Sequence, residues 1–159
     1  MLNAATNDQR PTVLFIDDEY NNCLTFRATF RQEFNVLLAG GLEEGWAHLE
    51  KNEVHVVICD QRMPGVMGSE ILRQIRERYP QVRRMLITAY ADLQALVDAL
   101  NEAGICHYIN KPWEEDAVRA AVGRAWREYQ AEKERAAYTE RLLESNRQLE
   151  FALRQSLLS

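Results

Sequence analysis

Val13-Leu14-Phe15-Ile16-Asp17-Asp18-Glu19 runs four apolar residues straight into three carboxylates. A short apolar run of this kind reads as a strand covered on both faces, as parallel sheets are. Adjacent acids at its end repel one another unless a cation lies between them, so the stretch points to a metal site. The pattern recurs at Val54-His55-Val56-Val57-Ile58-Cys59, which ends at Asp60 and continues through Gln61-Arg62-Met63-Pro64 to Gly68. Further apolar runs end at Thr88 and near Lys111. In an open α/β sheet functional groups collect beyond the carboxyl ends of the strands. Asp17, Asp18, Asp60, Thr88 and Lys111 are therefore expected to converge on one crevice.

Strand-like runs at 12–16, 35–39, 54–59, 83–88 and 106–110 alternate with helical periodicity at 21–33, 42–51, 69–79 and 92–103. This alternation implies right-handed crossovers and an α/β fold: a five-stranded parallel sheet with helices on both faces, doubly wound and flavodoxin-like. Pro80 and Gly104 punctuate two helix exits, and Gly40-Gly41 marks a turn. There is no internal repeat and no low-complexity stretch.

The order Asp17-Asp18, Asp60-x-x-Met63-Pro64-x-x-x-Gly68, Thr88-Ala89 and Tyr108-x-x-Lys111-Pro112 resembles the receiver domain of two-component response regulators. The resemblance covers residues 12–126, and the joint spacing is far more specific than any one piece. It implies a domain that takes a phosphoryl group from the histidine of a partner kinase.

The resemblance also assigns roles. Asp60 is the phosphoacceptor, since a carboxylate exposed at a strand end can attack phosphorus to give an acyl phosphate. Asp17, Asp18, Asp60 and the backbone carbonyl of Arg62 would hold Mg²⁺, which binds through a few carboxylates and phosphate oxygens while keeping several waters. Thr88 offers a hydroxyl and Lys111 a point charge to the phosphoryl oxygens. Thr88 and Tyr108 form the switch pair, Tyr108 turning inward as Thr88 moves. Arg62 and Tyr90 occupy the positions that tune phosphoryl lifetime. The Lys111-Pro112 bond is expected to be cis, as in the family. Each residue also has a plainer reading: Asp60 as a helix N-cap, Asp17 and Asp18 as solvated acids near a helix start, Thr88 and Tyr108 as packing residues, Lys111 as a snorkelling chain. Glu19 is expected to cap the first helix. His48, His55 and His107 match no ligand spacing and read as structural. Trp113 is expected to pack where the last helix starts.

At 159 residues the chain has room for one domain with a sizeable core plus an appendage. Its 47% hydrophobic and 27% charged content is that of an ordinary globular protein, so global disorder is excluded. Cys23, Cys59 and Cys106 are far apart and lack metal-ligand spacing, which suggests reduced thiols in a cytoplasmic protein. No apolar stretch approaches a membrane span, and residues 1–10 are polar rather than signal-like. From Arg127 onward six Lys/Arg balance six Asp/Glu, so the remainder carries the whole net charge of −5. With no basic stripe, direct nucleic-acid binding is not expected.

Residues 114–158 contain no proline and one glycine, Gly123, so the last helix is expected to run for roughly 45 residues, about 65–70 Å. Val118, Val122, Ala125, Trp126 and Tyr129 have the spacing of a face packed on a domain. Leu142, Asn146, Leu149 and Leu153 then step by four, three and four, as heptad positions d, a, d, a do, with Asn146 as the polar a residue that sets register in a two-stranded coiled coil. The expected layout is an N-terminal tail at 1–11, a receiver at 12–126, and a coiled-coil signalling linker at 127–159 in a homodimer. An output domain beyond this chain would receive the signal; regulators with such linkers resemble those carrying cyclic-dinucleotide enzymes, phosphatases or transcriptional ATPase modules. The single-helix alternative packs on that output domain. Two rival functions stand beside this reading: a phosphate-independent dimerisation module, and an aspartyl phosphatase, whose usual Asp-x-Asp motif Asp17-Asp18-Glu19 does not match.

Overall fold

A computed structural model describes residues 10–89, 101, 103–105 and 107–158. The described elements are β1 (Thr12–Ile16), α1 (Tyr20–Phe30), β2 (Asn35–Ala39), α2 (Leu42–Lys51), β3 (Val56–Asp60), α3 (Gly68–Arg78), β4 (Arg83–Thr88), β5 (His107–Asn110) and α4 (Glu115–Leu158). The five strands form one parallel sheet in the order β2-β1-β3-β4-β5. The flavodoxin-like expectation is met. All but residues 101 and 103 of the helix expected over 92–103, and the residues Tyr90 and Cys106, lie outside the described set.

Side chains alternate across a strand, and the two faces of the sheet divide accordingly. Val13, Phe15, Val56, Ile58, Met85, Ile87 and Ile109 pack with Cys23, Phe26 and Phe30 of α1 and with Val118, Val122 and Ala125 of α4. Leu14, Ile16, Val57, Cys59 and Leu86 meet Leu49 of α2 and Ile71, Leu72 and Ile75 of α3 on the other face. Each large side chain buried this way stabilises the fold by about 1.5–3 kcal/mol. Cys23 and Cys59 are buried free thiols. Trp113 sits against the rings of Phe26 and Phe30, at centroid separations of 6.1 and 5.6 Å, and so bridges the start of α4 to α1.

Several element boundaries differ from the sequence reading by one to three residues, and one expected cap is absent. β3 starts at Val56 rather than 54: His55 joins the edge of the ladder through Thr12 O and Arg83 N, while its ring nitrogen Nδ1 takes the Thr12 amide at 2.8 Å. α1 stops at Phe30 because residues 31–34 close a turn in which the Phe34 amide returns to Phe30 O. Glu19 does not cap α1 with its side chain. Asp17 Oδ1 accepts the Glu19 amide at 2.9 Å instead, at the residue just before the helix.

α4 is one continuous helix of 44 residues. Its buried residues are Val118, Val122, Ala125 and Tyr129, spaced by four, three and four. From Gln130 through Leu158 every residue is exposed. Leu142, Leu149 and Leu153 are among the exposed large apolar side chains of this stretch, and Asn146 is exposed with them.

Candidate functional site: an acidic crevice at the strand ends

The register carries the sequence motifs to one edge. Ile16 pairs with Cys59, Asp60 with Ile87, and Thr88 with Asn110, so Asp17, Asp60, Thr88 and Lys111 all stand at the carboxyl ends of neighbouring strands. One side-chain oxygen from each of Asp17, Asp18 and Asp60 lies within 4.8 Å of the others. Asp17 and Asp60 are buried and Asp18 is exposed, so the cluster is an open-mouthed cup with two sunken acids.

Local chemistry explains why these carboxylates stay in place. Asp17 accepts the Glu19 amide through Oδ1 and the Asn22 amide nitrogen Nδ2 through Oδ2, at 2.9 and 3.1 Å. Asn22 also donates to Glu19 Oε2 at 3.3 Å. Beyond Asp60 the chain must turn at once into α3, and Gly68 makes that possible. A Cβ at Gly68 would collide with the Asp60 carbonyl oxygen. The turn is tied by Gly68 N to Gln61 O at 3.0 Å, and buried Gln61 closes it by accepting the Ser69 amide at 2.7 Å. Asn22 and Gln61 are supports that the motif order did not disclose; an amide side chain one turn into a helix, or beside a strand end, is too common to signal such a role alone.

Asp60 Oδ1 is buried outside any hydrogen bond of ordinary geometry and forms an ion pair with the Lys111 ammonium. Burial raises the Asp60 carboxyl above its usual range, Lys111 opposes that rise, and Asp17 and Asp18 add to it. The site is thus an excess of negative charge with one cation. Such an arrangement fits a hard divalent ion: three carboxylates converge, two of them sunken, and the Lys111 ammonium offsets only part of their charge.

Thr88 is buried at the end of β4, and its carbonyl accepts the Lys111 amide at 3.1 Å. Lys111-Pro112 is cis. Tyr108 is 44% exposed on the edge strand β5, and Arg62 is exposed in the loop after Gln61. Tyr90 lies outside the described residues. None of the three histidines joins the crevice. His48 Nε2 meets Leu38 O at 2.8 Å, His55 takes the Thr12 amide, and His107 faces Glu128.

A doubly wound parallel sheet with three carboxylates, a lysine and a buried threonine at one mouth defines a class, the flavodoxin-like domains with a cation-ready acidic crevice. The chain belongs to the response regulator receiver domain family, whose sequence profile matches residues 13–123. Among curated relatives, the hydrogenase transcriptional regulatory protein HoxA of Cupriavidus necator is 42% identical over 120 residues, 73% of this chain and 25% of the relative. HoxA of Bradyrhizobium diazoefficiens is 38% identical over 77% of this chain and 25% of its own length. The chain therefore spans about a quarter of the length of these relatives. Among solved structures, the signal receiver domain of an HD domain-containing protein from Pseudomonas fluorescens Pf-5 is similar with a TM-score of 0.74 and 28% identity, over 84% of this chain and 99% of that one. The response regulator TrrA of Thermotoga maritima, solved with Mg²⁺ and BeF, is similar with a TM-score of 0.63 and 25% identity, over 72% of this chain and 98% of that one. The chain is a receiver domain of two-component signalling with a long helix appended to it.

Proposed function

We propose that Asp60 is the phosphoacceptor. The observation that carries this reading is the placement of Asp60: sunk at the end of β3, between two further carboxylates and paired with Lys111. An Asp60 carboxylate oxygen attacks the phosphorus of a kinase phosphohistidine; the new O–P bond forms as the P–N bond breaks, and the electron pair leaves on the imidazole. Asp17, Asp18 and Asp60, with the backbone carbonyl of Arg62, would hold Mg²⁺. When bound, the ion offsets charge on the phosphoryl oxygens, where positioning and electrostatics supply nearly all the catalysis. Lys111 moves its charge from Asp60 to a phosphoryl oxygen, and the Thr88 hydroxyl donates to another. Tyr108 follows Thr88 inward. Arg62 and Tyr90 govern water access and so phosphoryl lifetime.

In this reading the receiver spans 12–126 and the helix from 127 onward is a signalling linker that pairs with a second copy through Leu142, Asn146, Leu149 and Leu153. The exposure of all four supports the pairing. The protein works in the cytoplasm with a histidine kinase as donor and an output domain downstream; among the described residues no helix is long and apolar enough to cross a membrane. A phosphate-independent dimerisation module is the second reading, favoured by the same exposed seam.

Intact mass after incubation with acetyl phosphate separates them. The chain should gain one phosphoryl group only with Mg²⁺ present, and Asp60→Asn should gain none. Equal labelling of Asp60→Asn would overturn the assignment, and no labelling of the wild type would leave the dimerisation module standing.

A further inference from the structure

The opposite edge of the sheet holds a second set of charged residues, and all of it is aimed at α4. On one flank Glu53, in the loop before β3, accepts the Tyr129 hydroxyl at 3.0 Å and the Lys133 ammonium at 2.6 Å through the same oxygen, Oε1. The ring of His55 stands edge-on to Tyr129 at 4.9 Å, and its Nε2 faces Glu53 at 4.0 Å. His55 Nδ1 already accepts the Thr12 amide, which fixes the ring against β1. On the other flank Glu128, the residue before Tyr129, accepts Arg83 Nη2 at 2.8 Å and lies 3.6 Å from His107 Nε2. Consecutive residues of the helix are thus held from two directions, at the turn where its buried face ends.

We propose that Glu53 and Glu128 are positioning residues that together set the heading with which α4 leaves the receiver. A helix held on one flank can swing about that contact. Ties diverging from adjacent positions remove the swing. Lys133 extends the hold one turn past Tyr129, into the exposed stretch of the helix.

The strands that anchor the grip are the strands that end at the acidic crevice. Arg83 begins β4 and Thr88 ends it; His107 begins β5, and Lys111 follows its end. A shift of either strand along its axis on activation therefore reaches Glu128 directly. This second step rests on the proposed phosphoacceptor reading. The grip itself does not.

Double electron–electron resonance between nitroxides at positions 43 and 148, both exposed, reads the heading. The labels are carried on unnatural amino acids so that the native cysteines remain, and labelled chain is diluted with unlabelled chain. The wild type should give one narrow distance distribution, and Glu53→Ala with Glu128→Ala should broaden it at least twofold. Lys133→Met, 64% exposed and remote from the core, should broaden it less, with the thermal transition of the domain little changed. Glu53→Gln, which keeps the oxygen acceptor, should restore part of the sharpness lost in Glu53→Ala. An unchanged width in both the double variant and Lys133→Met would overturn the grip. Beryllofluoride should shift the wild-type distance and fail to shift it in Glu128→Ala. A wild type that binds beryllofluoride without a shift would defeat the coupling while leaving the grip in place.

Discussion

The two ends of one sheet handle charge in opposite ways. At the carboxyl ends three acids share one lysine, and burial with mutual repulsion raises the Asp60 carboxyl. At the amino ends each acid has its own donors: hydrogen bonds from Lys133 and Tyr129 lower the Glu53 carboxyl, while the Tyr129 hydroxyl is pushed up to about 12. Charge left unbalanced is a binding site waiting for its counter-ion, whereas charge balanced internally is a fastening. Both ends are built from ordinary residue types. What separates them is whether the partners are supplied by the chain.

The widest gap between the ends should appear on adding Mg²⁺. At a hundred times its Kd the ion should raise unfolding free energy by about 2.7 kcal/mol. Asp17→Asn with Asp18→Asn should abolish that gain while leaving the apo protein as stable as wild type or more so; Glu53→Ala should leave the gain intact. Urea denaturation with and without the ion measures all three, and a full Mg²⁺ gain in the double variant would show the acids to be helix-proximal caps only.

Backbone packing should separate the ends next. Gly68→Ala drives a methyl group against the Asp60 carbonyl oxygen and should cost about 1–3 kcal/mol, as overpacking does. The ties that hold α4 at the amino ends are made by long side chains instead. The chemical-denaturation midpoint checks this, with Mg²⁺ affinity expected to fall alongside it as Asp60 is displaced.

The smallest effect, and the sharpest in sign, is with pH. Asp60 binds its proton more tightly folded than unfolded, so in Mg²⁺-free buffer it weakens the fold as pH rises from the ordinary carboxylate range through its raised value. Glu53 binds its proton less tightly when folded. Its contribution is present above the ordinary range and is lost as pH falls through its lowered value. The groups facing Glu53 are His55, Tyr129 and Lys133; burial lowers the His55 ring, so it charges only in acid. Comparing wild type with Asp60→Asn and with Glu53→Gln across pH should give differences of opposite slope, and parallel slopes would erase the distinction between the ends.

The carboxyl end is legible in the sequence and the amino end is not. Each site residue follows an apolar run, and a parallel sheet brings all strand ends to one edge, so strand order along the chain is enough to gather Asp17, Asp60, Thr88 and Lys111. Glu53 meets Lys133 across 80 positions and Tyr129 across 76, and Glu128 meets Arg83 across 45. In the sequence these are charged residues among many, with no period or spacing to mark them, and only the packing of α4 across β3, β4 and β5 brings them together. The helix itself is legible because propensity and the absence of proline act locally. Its heading is a tertiary property.

That heading matters through simple mechanics. The stretch of α4 beyond Tyr129 is about 40 Å long at 1.5 Å per residue, so it acts as a pointer pivoting at its base. A tilt of about 10° would sweep its tip by roughly 7 Å, more than one helical turn of 5.4 Å. Movements at Glu128 too small to disturb the core thus become displacements comparable to the spacing between side-chain layers at the far end, and angular gain is obtained from length alone.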